Sequence, residues 1–373
     1  MKRSLQKPIL NDLHEKVVLL SGPRQVGKTT LAKTFFPKSS EYFNADRAED
    51  RLLLQRKAWR RDCDLVIFDE LHKVKKWKSW LKGIYDTEGV RPRILVSGSA
   101  RLDVYRKGGD SLAGRFYSYR LHPVSVAEVK ETVPAEEALD RIIRFGGFPE
   151  PFLKASEEAA RRWRRSHADT ILREDVVDLT FVRDLKGLET LVERLRQSVG
   201  SPVSYESLAR DLQVSSHTVK HWIAVLESLY LIFMLTPYSK NVARSLLKQP
   251  KIYFYDTGLV KDDPAARLEN TVACALLKRL HFLEDVKGEV CGLHYLKDKE
   301  RREVDFACLR NGKLECLVET KWSDPDVSNL HRFSKLLPSG ARSILLLKET
   351  SRELFLKGVY VKRASAWLQE LEA

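Results

Sequence analysis

The apolar run Val17-Val18-Leu19-Leu20-Ser21 leads without a break into Gly22-Pro23-Arg24-Gln25-Val26-Gly27-Lys28-Thr29-Thr30, and helix-forming residues through Leu31 and Phe35 follow. A buried strand, a glycine-spaced loop and a helix in immediate succession leave few folds open, because the strand must belong to a parallel sheet and the loop must turn sharply into the helix. Glycines let the backbone curl its N–H groups inward, and the helix N-terminus adds the positive end of a dipole. The nine residues Gly22 to Thr30 are therefore expected to cradle the phosphates of ATP. Lys28 would reach the β and γ phosphates, and Thr29 would ligate Mg2+.

A second apolar run, Leu65-Val66-Ile67-Phe68, ends in Asp69-Glu70. Carboxylates emerging at the carboxyl end of a parallel strand sit where such sheets bind ligands. Asp69 is the expected second holder of magnesium and Glu70 the base that polarises the attacking water. A third strand, Ile94-Leu95-Val96, runs into Ser97-Gly98-Ser99, so Ser97 or Ser99 either senses the γ-phosphate or simply forms a turn. Phosphoryl transfer builds more charge than one lysine neutralises. Arg115 and Arg101 are the candidates for that missing charge, supplied within the chain or to a neighbouring subunit of a homo-oligomer.

Short strands alternate with helix-length segments from Lys16 to about Leu121, the pattern of a parallel sheet wrapped by helices. Residues 126–200 read as helical around the loop Gly146–Pro151, with Arg161, Arg162, Arg164 and Arg165 as either a solvated face or a phosphate-binding one. From Ser201 the spacing predicts a helix over 205–212, a turn over 213–216 with serines placed to cap, and a second helix through Leu229. The run after it suits a strand opening a wing. Ser216, His217 and Lys220 begin the second helix and would face a DNA groove.

Gly-Pro-Arg-Gln-Val-Gly-Lys-Thr-Thr-Leu, Ile-Phe-Asp-Glu-Leu-His, Val-Ser-Gly-Ser, Leu-Ala-Gly-Arg, Gly-Gly-Phe-Pro-Glu and Lys251-Ile-Tyr-Phe-Tyr-Asp-Thr-Gly-Leu259 occur in that order. Together they resemble the archaeal and bacterial AAA-type ATPases that carry a C-terminal domain of unknown function with a restriction-endonuclease-like fold. The resemblance implies an α/β chain with a P-loop AAA-type parallel sheet (1–125), a helical lid (126–200), a winged helix-turn-helix (201–260) and an α/β nuclease-like domain (261–373). It also implies that Arg24 and Arg115 are functional positions. His72 stands where relatives commonly place Gln.

In the last segment Asn311-Gly312 reads as the turn of a β-hairpin. Counting from Gly312, Asp305 and Glu319 are each seven residues from the turn and so opposite one another, with Lys321 on the face of Glu319. Two carboxylates on adjacent strands with a lysine two residues on are the pattern of a metal-dependent nuclease. Glu269, at the head of a helix expected over 270–280, would be a further acid. The same charges would also suit the solvent face of an amphipathic hairpin.

The net charge of +14 favours a polyanionic partner, and DNA is the first choice. An ATPase acting on DNA is the leading expectation. An ATP-gated nuclease and a scaffold ATPase with a protein partner are the alternatives. The longest uncharged stretch, Ser228 to Ser239, is far short of the roughly 20 residues that span a bilayer. No membrane association is expected. Five cysteines without a CxxC pair read as reduced core residues, and the expected compartment is the cytoplasm.

Overall fold

The computed structural model describes residues 1–98, 112–172, 176, 184–239 and 249–372. They divide into two compact units, Lys2–His122 and Pro123–Ala373, the latter with Met1.

The first unit is built on five strands: β1 (Val17–Ser21), β2 (Ser40–Asn44), β3 (Leu65–Asp69), β4 (Arg93–Ser97) and β5 (Phe116–Arg120). All neighbours are parallel and the order is β2-β3-β4-β1-β5. Every residue of β1 and β3 is buried, which is why both read as unbroken apolar runs. Val17, Leu19, Val66, Phe68 and Val96 share one core with Trp59, Leu81 and Ile84, where Trp59, Phe68 and Trp80 meet edge to face. Helix α1 (Gln6–Asp12) precedes β1, and α2 (Lys28–Ala32) starts where the glycine loop ends. Two further helices, α3 (Ala48–Gln55) and α4 (Trp77–Glu88), connect the strands.

The second unit starts with helices α5 (Ala135–Phe145), α6 (Pro149–Lys154), α7 (Glu157–Thr170) and α8 (Leu185–Gln197). The expected pair of helices follows as α9 (Tyr205–Leu212) and α10 (Ser216–Ser228). Ser204 and Ser215 accept the N–H groups of Ser207 and Thr218, and Gln213 takes a left-handed conformation in the turn. Val219, Ile223 and Leu226 are buried, together with Trp222 and Val225. An antiparallel pair, β6 (Ile232–Leu235) and β7 (Lys251–Phe254), comes next.

Two motifs far apart in sequence meet in this unit. Gly146, at φ +86°, lies so close to Asp256 that a Cβ there would stand 1.9 Å from Asp256 Oδ1. A Cβ on Gly258 would stand 2.1 Å from a guanidinium nitrogen of Arg164. Arg164 therefore turns inward, donating to the carbonyl of Phe145, whereas Arg161, Arg162 and Arg165 are exposed. The four arginines do not form one face.

The remainder is helix α11 (Pro264–Lys287), strands β8 (Cys291–Lys297), β9 (Glu303–Arg310) and β10 (Lys313–Lys321), helix α12 (Ser328–Phe333), strands β11 (Arg342–Leu347), β12 (Leu354–Leu356) and β13 (Val359–Arg363), and helix α13 (Ala364–Glu370). The six strands form one mixed sheet in the order β12-β13-β11-β10-β9-β8. Asn311 and Gly312 both have positive φ, as a two-residue hairpin turn demands. That turn pairs Lys313 with Arg310 and Leu314 with Leu309, a register that would set Asp305 opposite Val318. A bulge between Leu314 and Cys316 shifts the pairing to Val318 with Phe306, so the next step brings Glu319 opposite Asp305. The expected pairing is thus reached through the bulge and not through the turn alone. The helix carrying Glu269 begins at Pro264, so that residue lies inside the helix and not at its head.

Candidate functional site

Gly22, Gln25 and Gly27 all have positive φ, and these three residues turn the loop from β1 into α2. Gly22 admits no side chain, since a Cβ would lie 2.3 Å from the carbonyl oxygen of Leu121. Val26 is fully buried, and its carbonyl accepts from the buried Arg3 at 3.1 Å. Arg3 also donates to the carbonyl of His122, so a residue near the start of the chain braces the loop. Lys28 is 6% exposed, and its Nζ donates to the carbonyls of Gly22 (2.9 Å) and Pro23 (2.6 Å). These are the bonds that phosphate oxygens would replace. Arg24 is half-buried, and Gln25 and Thr30 are exposed.

Asp69, at the end of β3, is buried and gathers three hydroxyl groups. Thr29 Oγ1 and Tyr42 OH both donate to Oδ2 at 2.7 Å, and Ser97 Oγ donates to Oδ1 at 2.7 Å. Ser97 is fully buried and sits on the strand between β1 and β3. Ser97, expected either to sense the γ-phosphate or to form a turn, here donates its hydroxyl to Asp69 and fixes that carboxylate. Tyr42 on the edge strand carried no sequence signal for this contact, because nothing in its local pattern ties it to a residue on the next strand. Burial and the adjacent Asp69 push its hydroxyl pKa up, so it stays a donor.

Glu70 adopts a left-handed backbone at φ +52°. A non-glycine residue held there carries strain of order 1–3 kcal/mol, which the surrounding fold must impose. The N–H of Glu70 donates to the carbonyl of Ser97 at 2.8 Å, which fixes the turn. Burial raises the Glu70 carboxyl above its usual range, with Lys28 pulling the other way. An upward shift is what a general base near neutral pH needs. His72 Nδ1 lies 3.5 Å from Glu70 Oε2, so the residue standing in place of Gln lies against the carboxylate expected to act as base. Thr29 and Asp69 offer oxygen donors only, which fits a hard cation such as Mg2+.

Arg115 lies elsewhere. Its carbonyl accepts from Val17, and Phe116 pairs with Val17 at the start of β1, whereas the glycine loop follows Ser21 at the far end of that strand. Five residues of strand put about 16 Å between them. The guanidinium pairs with Asp86 at 2.6 Å. Arg115 therefore cannot complete the site of its own chain. Ser99 and Arg101 lie outside the described residues.

The C-terminal carboxylates form a second cluster. Asp305 Oδ2 accepts from Thr320 N (2.9 Å) and Thr320 Oγ1 (3.1 Å). Glu269 Oε1 accepts from Tyr253 OH at 2.7 Å. Into the same space comes Lys251, whose side chain is 1% exposed and whose Nζ lies 2.5 Å from Glu303, 3.3 Å from Glu269 and 3.8 Å from Asp305. Neither Lys251 nor Glu303 was anticipated. Burial with Glu269 alongside raises the Asp305 carboxyl, and Lys251 opposes that shift. Glu319 is buried and pushed up to about 7 by burial. Lys321 turns towards the loop beyond its strand, donating to the carbonyl of Asp326 at 2.8 Å, with Glu319 3.8 Å away. Among the described residues no group of three or more His, Cys, Asp or Glu side chains is arranged to hold a metal ion.

In α10, His217 and Lys220 are exposed and Ser216 is half-buried. Among the described residues no helix is long and apolar enough to cross a membrane.

Residues 14–130 match the AAA domain family, and residues 136–263 match a domain of unknown function, DUF8612. The chain is 31% identical over 326 residues to the uncharacterized protein Rv2008c of Mycobacterium tuberculosis, covering 85% of this chain and 73% of that one. It is 24% identical over 271 residues to the uncharacterized protein MJ1544 of Methanocaldococcus jannaschii, covering 66% of this chain and 59% of that one. Among solved structures, a Walker-type ATPase of Pyrococcus abyssi, PABY2304, aligns with a TM-score of 0.43 at 14% identity, over 72% of this chain and 95% of that one.

Proposed function

Because this chain belongs to the family of AAA-type P-loop ATPases, we propose that it binds ATP with magnesium, hydrolyses it, and uses that cycle to act on DNA. The observation that carries the ATPase half is the convergence of Thr29, Tyr42 and Ser97 on Asp69, with Glu70 next in the chain. Lys28 would exchange its two loop carbonyls for phosphate oxygens. Thr29 and Asp69 would hold the magnesium ion, which when bound adds positive charge against the β and γ oxygens. Glu70 would take a proton from the attacking water, helped by its raised carboxyl pKa. Arg115, at the opposite end of its own sheet, would serve the site of a second copy, so the active form is a homo-oligomer.

The DNA half rests on α10. The pair α9–α10 with the strands β6 and β7 has the element order of a winged helix, and His217 and Lys220 stand exposed at the start of its second helix. A net charge of +14 supplies the general attraction to phosphates.

Anisotropy with duplex, single-stranded and branched DNA, with and without ATP, over about 50 to 200 mM salt tests this reading. Lys220→Ala should reduce the slope of log affinity against log salt by about 0.9, and the exposed Lys335 on replacement should change nothing. Weak binding that is indifferent to salt would refute the DNA reading and leave a protein partner as the alternative.

A further inference from the structure

The nuclease expectation assigned Glu269, Asp305 and Glu319 to a divalent metal and Lys321 to the water. The geometry supplies a different cation. Lys251 opens β7 and is almost completely buried, and its Nζ stands within 4 Å of three carboxylates from two elements, Glu269 of α11 and Glu303 and Asp305 of β9. Further donors reach the same three carboxylates. Glu303 Oε2 faces Lys297 Nζ at 3.0 Å, Asp305 Oδ2 takes both donors of Thr320, and Glu269 Oε1 also takes the Tyr253 hydroxyl. Tyr295 covers the ammonium from the side, with its ring centre 5.5 Å from Nζ.

An ammonium seated among these carboxylates competes with a divalent ion for the same oxygens and repels it across the box. Two of the three acids expected for a metal therefore already face a cation of the chain itself. The lysine expected to activate water donates to the carbonyl of Asp326 and is shared between Asp324 at 3.7 Å and Glu319 at 3.8 Å.

We propose that Lys251 is the resident cation of this carboxylate box, that the box holds no divalent metal, and that the C-terminal sheet does not cut nucleic acid. The box acts instead as a joint. One buried ammonium ties β7 to α11 and β9, fastening the strand pair behind the two-helix element to the C-terminal sheet. Breaking a buried pair on one side leaves uncompensated charge, so the three carboxylates of a chain without Lys251 must recruit another cation or part.

The test uses the full chain without nucleotide and Mn2+ as the probe, with free Mn2+ read by electron paramagnetic resonance. The native chain and Asp305→Asn should take up the same amount at millimolar Mn2+. Lys251→Met, which removes the ammonium but keeps the length of the side chain, should bind one equivalent more than the native chain, and that extra ion should raise its Tm. One equivalent bound by the native chain and lost in Asp305→Asn overturns the proposal. So does a folded Lys251→Met chain that binds no more than the native one. If Lys251→Met does not fold, the comparison of native and Asp305→Asn chains decides alone, together with a plasmid assay. Metal-dependent nicking by the native chain that disappears in Glu319→Ala overturns the proposal, and no nicking supports it.

Discussion

Replacing Tyr42 with Phe removes one of the three hydroxyl groups that Asp69 accepts and leaves the ring in place, with Lys33 still 4.0 Å above its centre. The lost bond, 2.7 Å long and made to a carboxylate, belongs to the charge-assisted class, whose net worth is about 1.5–3 kcal/mol. Tyr42 is only half-buried, so water can partly replace its hydroxyl and the lower end applies. Thr29 donates to the same oxygen, and it is the side chain expected to turn towards magnesium. Once it does, Tyr42 is what remains to orient Oδ2, while Ser97 holds Oδ1. Loss of such an outer partner typically costs 10–100-fold in metal affinity, and about 10-fold is expected here. The assay is the magnesium dependence of fluorescent ATP-analogue binding, paired with turnover at saturating ATP. Half-saturating Mg2+ should rise about tenfold, and turnover at saturating Mg2+ should recover. A variant whose magnesium dependence matches the native chain refutes the role given to Tyr42, as does one whose turnover falls with no change in that dependence.

Glu70→Gln keeps the shape of the site and removes the base, so turnover should fall by about 10²–10⁴-fold while ATP stays bound in a filter assay. Hydrolysis at the native rate would show that Glu70 is not the base. Arg115→Ala and Lys28→Ala chains, each inactive alone, should regain part of their turnover on mixing, because each copy would supply what the other lacks; a mixture no better than its components counts against Arg115 acting on a second copy. Asp256 is pushed up to about 6 by burial, against the opposing pull of Arg164 and the Gly258 N–H. An acid whose folded value exceeds its unfolded one, about 3.9, binds its proton more tightly when folded. Its contribution to stability is therefore lost as pH rises from about 4 to about 6. Denaturant titrations of Asp256→Asn should show a flatter stability curve in that window, and a curve as steep as the native one would refute the assignment.

The glycine loop was legible because its constraints are local. Gly22, Gln25 and Gly27 take backbone angles set within a few residues of themselves, and the strand before and helix after them announce themselves by period. The apolar run ending in Asp69-Glu70, the capped pair α9–α10 and the Asn-Gly turn were readable for the same reason. What only the tertiary structure decided are the pairings between distant segments. Tyr42 and Ser97 reach Asp69 because β2 and β4 flank β3, an order that follows from how the helices cover the sheet and not from any residue beside Asp69. Arg115 falls at the wrong end of its sheet for its own site because strand direction, not distance along the chain, places it. Asp305 faces Glu319 because of a bulge at Glu315, and Lys251 fills the box that Glu269, Glu303 and Asp305 form. A lysine's local pattern carries no mark of which carboxylates will bury it. That choice is made by how β7 packs against α11 and β9, where leaving three half-buried carboxylates without a cation would cost more than ordering one long side chain among them.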